Sequence, residues 1–330
     1  MTLPQRMSRV GPLPNEVSLR AAPIGGGLAI QAQELPAGLF GRARRLVAFV
    51  HGFNVTLCEA GCAYGAFKRY LPGRLLGRVA AVYWPGDAAA RWRRDQNRPR
   101  GPATIAASAL SYSFQIGTAE NGARLLDQMI SGHANRRFPV QMDFVAHSLG
   151  CRLTLELLDR LRRKPAADRP RIGVVALMAA AVPRWMVLPG GSLHDAARSA
   201  AKLLVFQSEG DGVLRLPFQA GQQVEGEWRT RLRMRARAAL GRYGVICVPG
   251  ADNVVDDRLG HSDYWPNAAI ARRVVDELEN TRSTRHLGRE AVRGRAVPVR
   301  SVAVRDMDLR RVLTPPRGRQ LGMCQGCPPC

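Results

Sequence analysis

Lysine is nearly missing from this chain of 330 residues: only Lys68, Lys164 and Lys202 stand among 49 basic residues. Against 26 acids, the formal charge is still +23, which invites a nucleic-acid reading. The arginine bias argues otherwise. Beside abundant Ala, Gly and Pro it is what a GC-rich genome writes without selection for a partner, and the excess is spread along the chain rather than gathered in one stripe. No nucleic-acid partner is expected, although a basic surface steers polyanions and acidic membranes towards it. Long apolar runs are lacking too. The longest, Ile172–Val182, falls well short of the roughly 20 residues that span a bilayer and reads as a buried strand. Residues 1–20 hold no apolar core of a signal peptide, so the expected location is the cytoplasm.

Seven cysteines are too few for a disulfide framework in a chain this long. Cys151 and Cys247 lie in apolar segments and read as inert core thiols. Cys58 and Cys62, one helical turn apart, read as packing. Cys324, Cys327 and Cys330 form C-x2-C-x2-C, but a closed metal site wants four ligands. The expectation is therefore no metal and no cofactor.

What the sequence does contain is an alternation of apolar, β-rich runs with helical patterns, which predicts a mostly parallel sheet flanked by helices on both faces. Leu46–Val50, Val79–Trp84, Val140–Ala146, Ile172–Met178, Leu203–Gln207 and Val245–Val248 are the strands expected. Thr56 and Glu59 have capping-box spacing ahead of a helix over Ala60–Tyr70. Ala119–Ile130, Leu149–Leu161 and a segment marked by Ile270, Val274 and Leu278 carry helical periodicity. Residues 1–25 read as a loose segment and 26–280 as the catalytic domain. Within it, 86–118 read as an insertion or cap that helps shape a pocket, with five arginines in 91–100. Residues 281–330, with eleven arginines against three acids, read as a disordered basic tail. Trp228, Leu232, Ala236 and Leu240 lie on one side of an arginine-rich amphipathic stretch. It suits an acidic membrane surface, but more often such a stretch is a solvated helix.

The sharpest motif is Ala146-His147-Ser148-Leu149-Gly150, a small-x-Ser-x-Gly pentapeptide set between a buried strand and an amphipathic helix. A serine on such a turn is raised above the sheet with its backbone strained, over a helix N-terminus that offers N–H groups to an oxyanion. A serine hydroxyl is a weak nucleophile until a base takes its proton. In this arrangement the partners follow in the order serine, acid, histidine. His261, after the last strand and before the final helix, is the expected base; His194 and His286 are poorly placed. Asp211, on the turn Ser208-Glu209-Gly210-Asp211, is the expected acid, with Glu209 its nearest rival and Asp252, Asp256 and Asp257 later in the chain. His51-Gly52-Phe53-Asn54 closes the first strand at the place of the second oxyanion donor. The backbone N–H groups of Phe53 and Leu149 are the expected donors, with Gly52 and His147 beside them in the oxyanion or substrate site.

LVAFVHGFNVT, VYWPGD, DFVAHSLGCRLTLELL, SEGDGVL and GHSDYW together resemble the α/β-hydrolase superfamily over about residues 44–280. More narrowly, they are similar to bacterial α/β-hydrolases with an HGFN loop and an AHS[LM]G elbow, a group that brings no substrate with it. The resemblance implies a sheet of about eight strands, a Ser148–Asp211–His261 triad, and hydrolysis of a small-molecule or lipid ester through an acyl-enzyme without a cofactor. An acyltransferase using the same triad, or a binding module of the same fold without turnover, are the alternatives. Acyl chain length, alcohol and oligomeric state have no signature in the sequence.

Overall fold

The computed structural model describes residues 15–24, 27–30, 32–86, 102–132, 141–215, 218 and 238–291. In chain order the strands are β1 Asn15–Ser18, β2 Ala21–Ile24, β3 Gly27–Ile30, β4 Gln33–Leu35, β5 Arg45–Val50, β6 Val79–Tyr83, β7 Gln141–His147, β8 Arg171–Met178, β9 Lys202–Gln207 and β10 Ala251–Val255. The long helices among the described residues are α1 Leu57–Lys68, α2 Pro102–Gly132, α3 Leu149–Arg162 and α4 Ala268–Ala291. Eight strands form one sheet in the order β10-β9-β8-β7-β5-β6-β1-β4. Every neighbouring pair in it is parallel except β1 with β4. β2 and β3 make a separate antiparallel pair.

The chain chooses this sheet because its central strands are buried and mostly apolar. Every residue of β5, β6 and β7 is buried, the pattern of strands covered on both faces. From β5 the chain crosses one way to β6, and from β7 it crosses the other way to β8. Right-handed crossovers running in opposite directions put α1 and α3 on opposite faces. They also make the carboxyl ends of β5 and β7 a topological switch point, where loops diverge and leave a crevice. Thr56 and Glu59 do form the capping box of α1: the Glu59 N–H donates to Thr56 Oγ1 at 3.2 Å and the Thr56 N–H to Glu59 Oε2 at 2.7 Å. Ile270, Val274 and Leu278 are buried on α4, as their spacing predicts.

Several boundaries differ from those expected. The N-terminal segment is not loose from residue 15: β1 lies inside the main sheet, and Val17 and Leu19 have no exposed surface. The helix expected from Ala119 begins at Pro102, inside the 86–118 insertion. The last strand is Ala251–Val255, not Val245–Val248. Cys247 adopts φ 60°, which breaks any strand there, and it is exposed rather than a core thiol. Asn253 of β10 holds that turn by accepting from the Val245 N–H at 2.8 Å and donating to its carbonyl at 2.7 Å. Helix α4 continues to Ala291, past the expected boundary at residue 280. The arginines at 91–100, most of the stretch from Trp228 to Leu240, and the tail with Cys324, Cys327 and Cys330 lie outside the described residues. Among the described residues, no helix is long and apolar enough to cross a membrane.

At the end of the sheet away from the switch point, Arg45 opens β5 with its Nε 2.5 Å from Asp143 Oδ2 on β7. Asp143 Oδ1 accepts from Gln141 Nε2 at 2.9 Å and from the Val174 N–H at 2.8 Å. The carboxylate has no exposed surface, so its partners replace water completely. Removing one member of such a pair strands the other charge, at a cost of about 3–5 kcal/mol. Asp143→Ala should therefore lower the urea midpoint by that equivalent, measured by circular dichroism; a loss below about 1 kcal/mol would show that the pair is not a determinant of stability.

Candidate active site

The carboxyl ends of β5 and β7 bring two loops together. Ser148 follows β7 at φ 53° and ψ −124°, a conformation that L-residues avoid, and α3 begins at the next residue. The strain is held from several sides. The Ser148 N–H donates to Met178 O at 2.9 Å, and its carbonyl accepts from the Cys151 and Ala181 N–H groups, each at 3.1 Å. Gly150 allows α3 to approach β5: a Cβ there would lie 2.3 Å from the His51 carbonyl oxygen. Gly52 does the same for the facing loop, where a Cβ would lie 2.8 Å from Ser148 Cβ and 3.0 Å from His147 Nδ1.

His261 reaches the elbow from the segment after β10. Its Nε2 is 2.9 Å from Ser148 Oγ and its Nδ1 is 2.7 Å from Asp211 Oδ2. A carboxylate only accepts, so Nδ1 carries the proton and Nε2 presents a lone pair to the serine hydroxyl. Asp211 has no exposed surface, and its Oδ1 accepts from the Val213 and Leu214 N–H groups at 3.0 Å, capping the short helix Gly212–Arg215. Burial raises the pKa of this carboxyl. The bond from His261, its charge and the Leu214 amide together outweigh that, and the balance lies below the ordinary 3.8. Asp211 thus stays ionised, as a group that steadies an imidazolium must.

The rival acids lie elsewhere. Glu209 is exposed, and its neighbourhood is held through backbone bonds to Asp257 and Arg242. Asp252 pairs with Lys202 and Arg273, and Asp256 with Arg258. His194 bonds the Val187 carbonyl. Leu149 is the first residue of α3 and fully buried, so its N–H is one of those a helix start leaves without an intrahelical acceptor. Phe53 is half-buried and packs against the core beside Gly52.

His147 is the last residue of β7, directly before Ser148. It is 6 % exposed, and its Nε2 lies 2.7 Å from the backbone carbonyl oxygen of His261. Burial is the main cause, with the nearby His261 second, that moves its pKa from 6.5 down to about 3, so the ring is neutral. Two further braces escaped sequence reasoning because only the fold brings them together. Ser208 Oγ donates to the Leu259 carbonyl at 2.7 Å, one bond from the base-bearing segment to the acid-bearing one. His51 stacks on Trp84 at 5.6 Å, Trp84 Nε1 donates to the His51 carbonyl at 2.8 Å, and the Asn54 N–H donates to Gly86 O at 2.6 Å. These tie the HGFN loop to the WPG turn after β6. Among the described residues, no group of three or more His, Cys, Asp or Glu side chains is placed to hold a metal ion.

Residues 33–278 match the model of a family described as "Alpha/beta hydrolase of unknown function (DUF900)". The match takes in most of the chain, and the protein belongs to that family. No curated protein sequence matches it. Among solved structures it is similar to an esterase/lipase from an uncultured bacterium, at 13 % identity over 81 % of this chain and 84 % of the other, with a TM-score of 0.31. RedJ, solved with a PEG molecule in its active site, matches at 15 % identity over 72 % and 93 %, with a TM-score of 0.30. A lipase-esterase related protein from Clostridium acetobutylicum ATCC 824 matches at 14 % identity over 45 % and 46 %, with a TM-score of 0.25; the chain spans less than half of that protein's length. At such TM-scores the three structures add nothing to the reading of the site.

The buried imidazole of His147 makes stability depend on pH. Its folded pKa of about 3 lies below the ordinary 6.5, so between those values the unfolded chain binds the extra proton. Stability is fully present above pH 6.5 and falls as pH drops towards 3, by something on the order of a few kcal/mol. The lowered carboxyl of Asp211 acts in the same direction, but only below about its ordinary 3.8. Thermal melts of wild type and His147→Phe at pH 7 and pH 4.5 check this. The variant should lose less on acidification than the wild type, and equal losses would mean the imidazole is not held neutral.

Proposed function

We propose that the chain is a serine hydrolase that cleaves carboxylic esters through an acyl-enzyme, in the manner of an esterase or lipase. The observation that carries this reading is the unbroken line from Asp211 Oδ2 to His261 Nδ1 at 2.7 Å, and from His261 Nε2 to Ser148 Oγ at 2.9 Å. His261 takes the hydroxyl proton as Oγ bonds the ester carbonyl carbon. The oxyanion forms beside the backbone N–H groups of Phe53 and Leu149, where fixed donors stabilise it most. The C–O bond to the alcohol then breaks, and the alcohol leaves with the proton from Nε2. Water gives its proton to the same Nε2 and attacks the acyl carbon. The carboxylic acid departs as Ser148 recovers its hydrogen. Asp211 remains ionised and holds the tautomer that each step needs.

A small-molecule or lipid ester is the substrate class proposed, preferred over an amide by analogy with the fold class. The cycle draws on no metal or cofactor, and the site needs no nucleic acid.

A fluorophosphonate probe with a panel of p-nitrophenyl esters of increasing acyl length tests the reading. Wild type should label and turn over. Ser148→Ala should do neither, and Asp211→Asn should lose about 10²- to 10⁴-fold in kcat, because an amide favours the wrong tautomer. Equal labelling of wild type and Ser148→Ala would place the nucleophile elsewhere.

A further inference from the structure

The segment that carries His261 has no regular secondary structure between β10 and α4. A base on such a segment must be fixed by individual bonds. Upstream, the Leu259 carbonyl accepts from Ser208 Oγ at 2.7 Å, and the Gly260 N–H donates to Asp263 Oδ2 at 2.7 Å. At His261 itself the backbone carbonyl lies 2.7 Å from His147 Nε2. Carbonyl oxygen only accepts, so Nε2 of His147 carries the proton and donates it. The donor is the residue next to the nucleophile, its ring centroid 5.0 Å from that of His261 and 6.0 and 6.3 Å from Tyr264 and Trp265. The titratable groups around it are His261, Asp211, His51 and Tyr264.

We infer that His147 is a positioning residue whose bond to the His261 carbonyl holds the base in place while Ser148 is acylated. The inference rests on the reading of Ser148, Asp211 and His261 given above. Before acylation the imidazole is held at both ends, by Asp211 at Nδ1 and by the serine hydroxyl at Nε2. Once Oγ is bonded to the acyl carbon it has no proton, and the bond between serine and imidazole is gone. The base must nevertheless stay near enough to activate water. The His147 bond does not pass through Oγ, so it persists in the acyl-enzyme and fixes the spacing of elbow and base through the backbone. Its loss burdens the second half of the reaction more than the first, because the first retains its own hydrogen bond.

Steady-state and burst kinetics with p-nitrophenyl acetate test this on the full chain, using His147→Phe, which keeps a buried ring without the donor, and His147→Gln, which restores an N–H at similar reach. His147→Phe should lower kcat by about 10- to 100-fold, the scale of a small misplacement of a catalytic group. KM should fall in step, so that kcat/KM changes by less than roughly threefold and a burst of nitrophenol reveals accumulated acyl-enzyme. His147→Gln should recover most of kcat. Three results overturn the inference: wild-type kcat in His147→Phe, a kcat/KM that falls as far as kcat with no burst, or equal impairment of the two variants when both melt cooperatively. Ser148→Ala separates this failure from that of the reading beneath it. If Ser148→Ala is inactive and His147→Phe is unchanged, only the role of His147 is lost; if Ser148→Ala hydrolyses the ester like wild type, both are lost.

Discussion

Holding a non-glycine residue at φ 53° costs on the order of 1–3 kcal/mol, and Ser148 is held there by bonds that reach well beyond its own strand. Its N–H is tied to the end of β8 through Met178, and its carbonyl to Ala181 and to the first turn of α3. Gly150 and Gly52 let the end of β5 and the loop after it close in from the other side. The hydroxyl stands over the crevice because the sheet leaves the peptide no relaxed alternative. The rest of the candidate site is arranged around a point fixed in this way: Asp211 after β9, His261 after β10, and the loops after β5 and β7.

Three histidines lie within this small region, and their hydrogen-bond partners give each a different state. His51 has Nδ1 2.9 Å from the Gly52 carbonyl and Nε2 3.3 Å from the Trp84 N–H, which makes it a neutral strut between two loops. His147, packed against Tyr264 and Trp265, has its pKa lowered by burial and donates from Nε2 to the His261 carbonyl. His261 alone has a carboxylate at one nitrogen and an exchangeable hydroxyl at the other, and its side chain keeps 16 % of its surface open. The same side chain type thus serves as brace and as candidate base, and the surroundings alone decide which.

The sheet was legible in the sequence where strands are buried on both faces. Leu46–Val50 and Ala146 at the end of β7 needed no more than an unbroken apolar run and the turn that follows. β10 escaped because it is an edge strand: Ala251-Asp252-Asn253-Val254-Val255 is half exposed and reads as loop, while the apolar Val245–Val248 looks like a strand and turns instead. β1 escaped for a related reason, since four residues amid glycines and prolines carry too little pattern. The residues that meet at the site could be named from their order and their places at strand ends. The direction of the His147 ring could not, because its acceptor lies 114 residues away and is a backbone oxygen with no letter in the sequence. The same holds for Ser208 and Leu259, and for Trp84 and His51.

Strand order also sets a schedule for the chain as it is made. The nucleophile belongs to the middle of the sheet, whereas the imidazole comes after the outermost strand, 113 residues further on. A polypeptide emerging from the ribosome therefore presents Ser148 without its His261 partner until β8, β9 and β10 have all been laid down in turn. Ser148 and His261 can meet only once the edge strand β10 has joined the sheet.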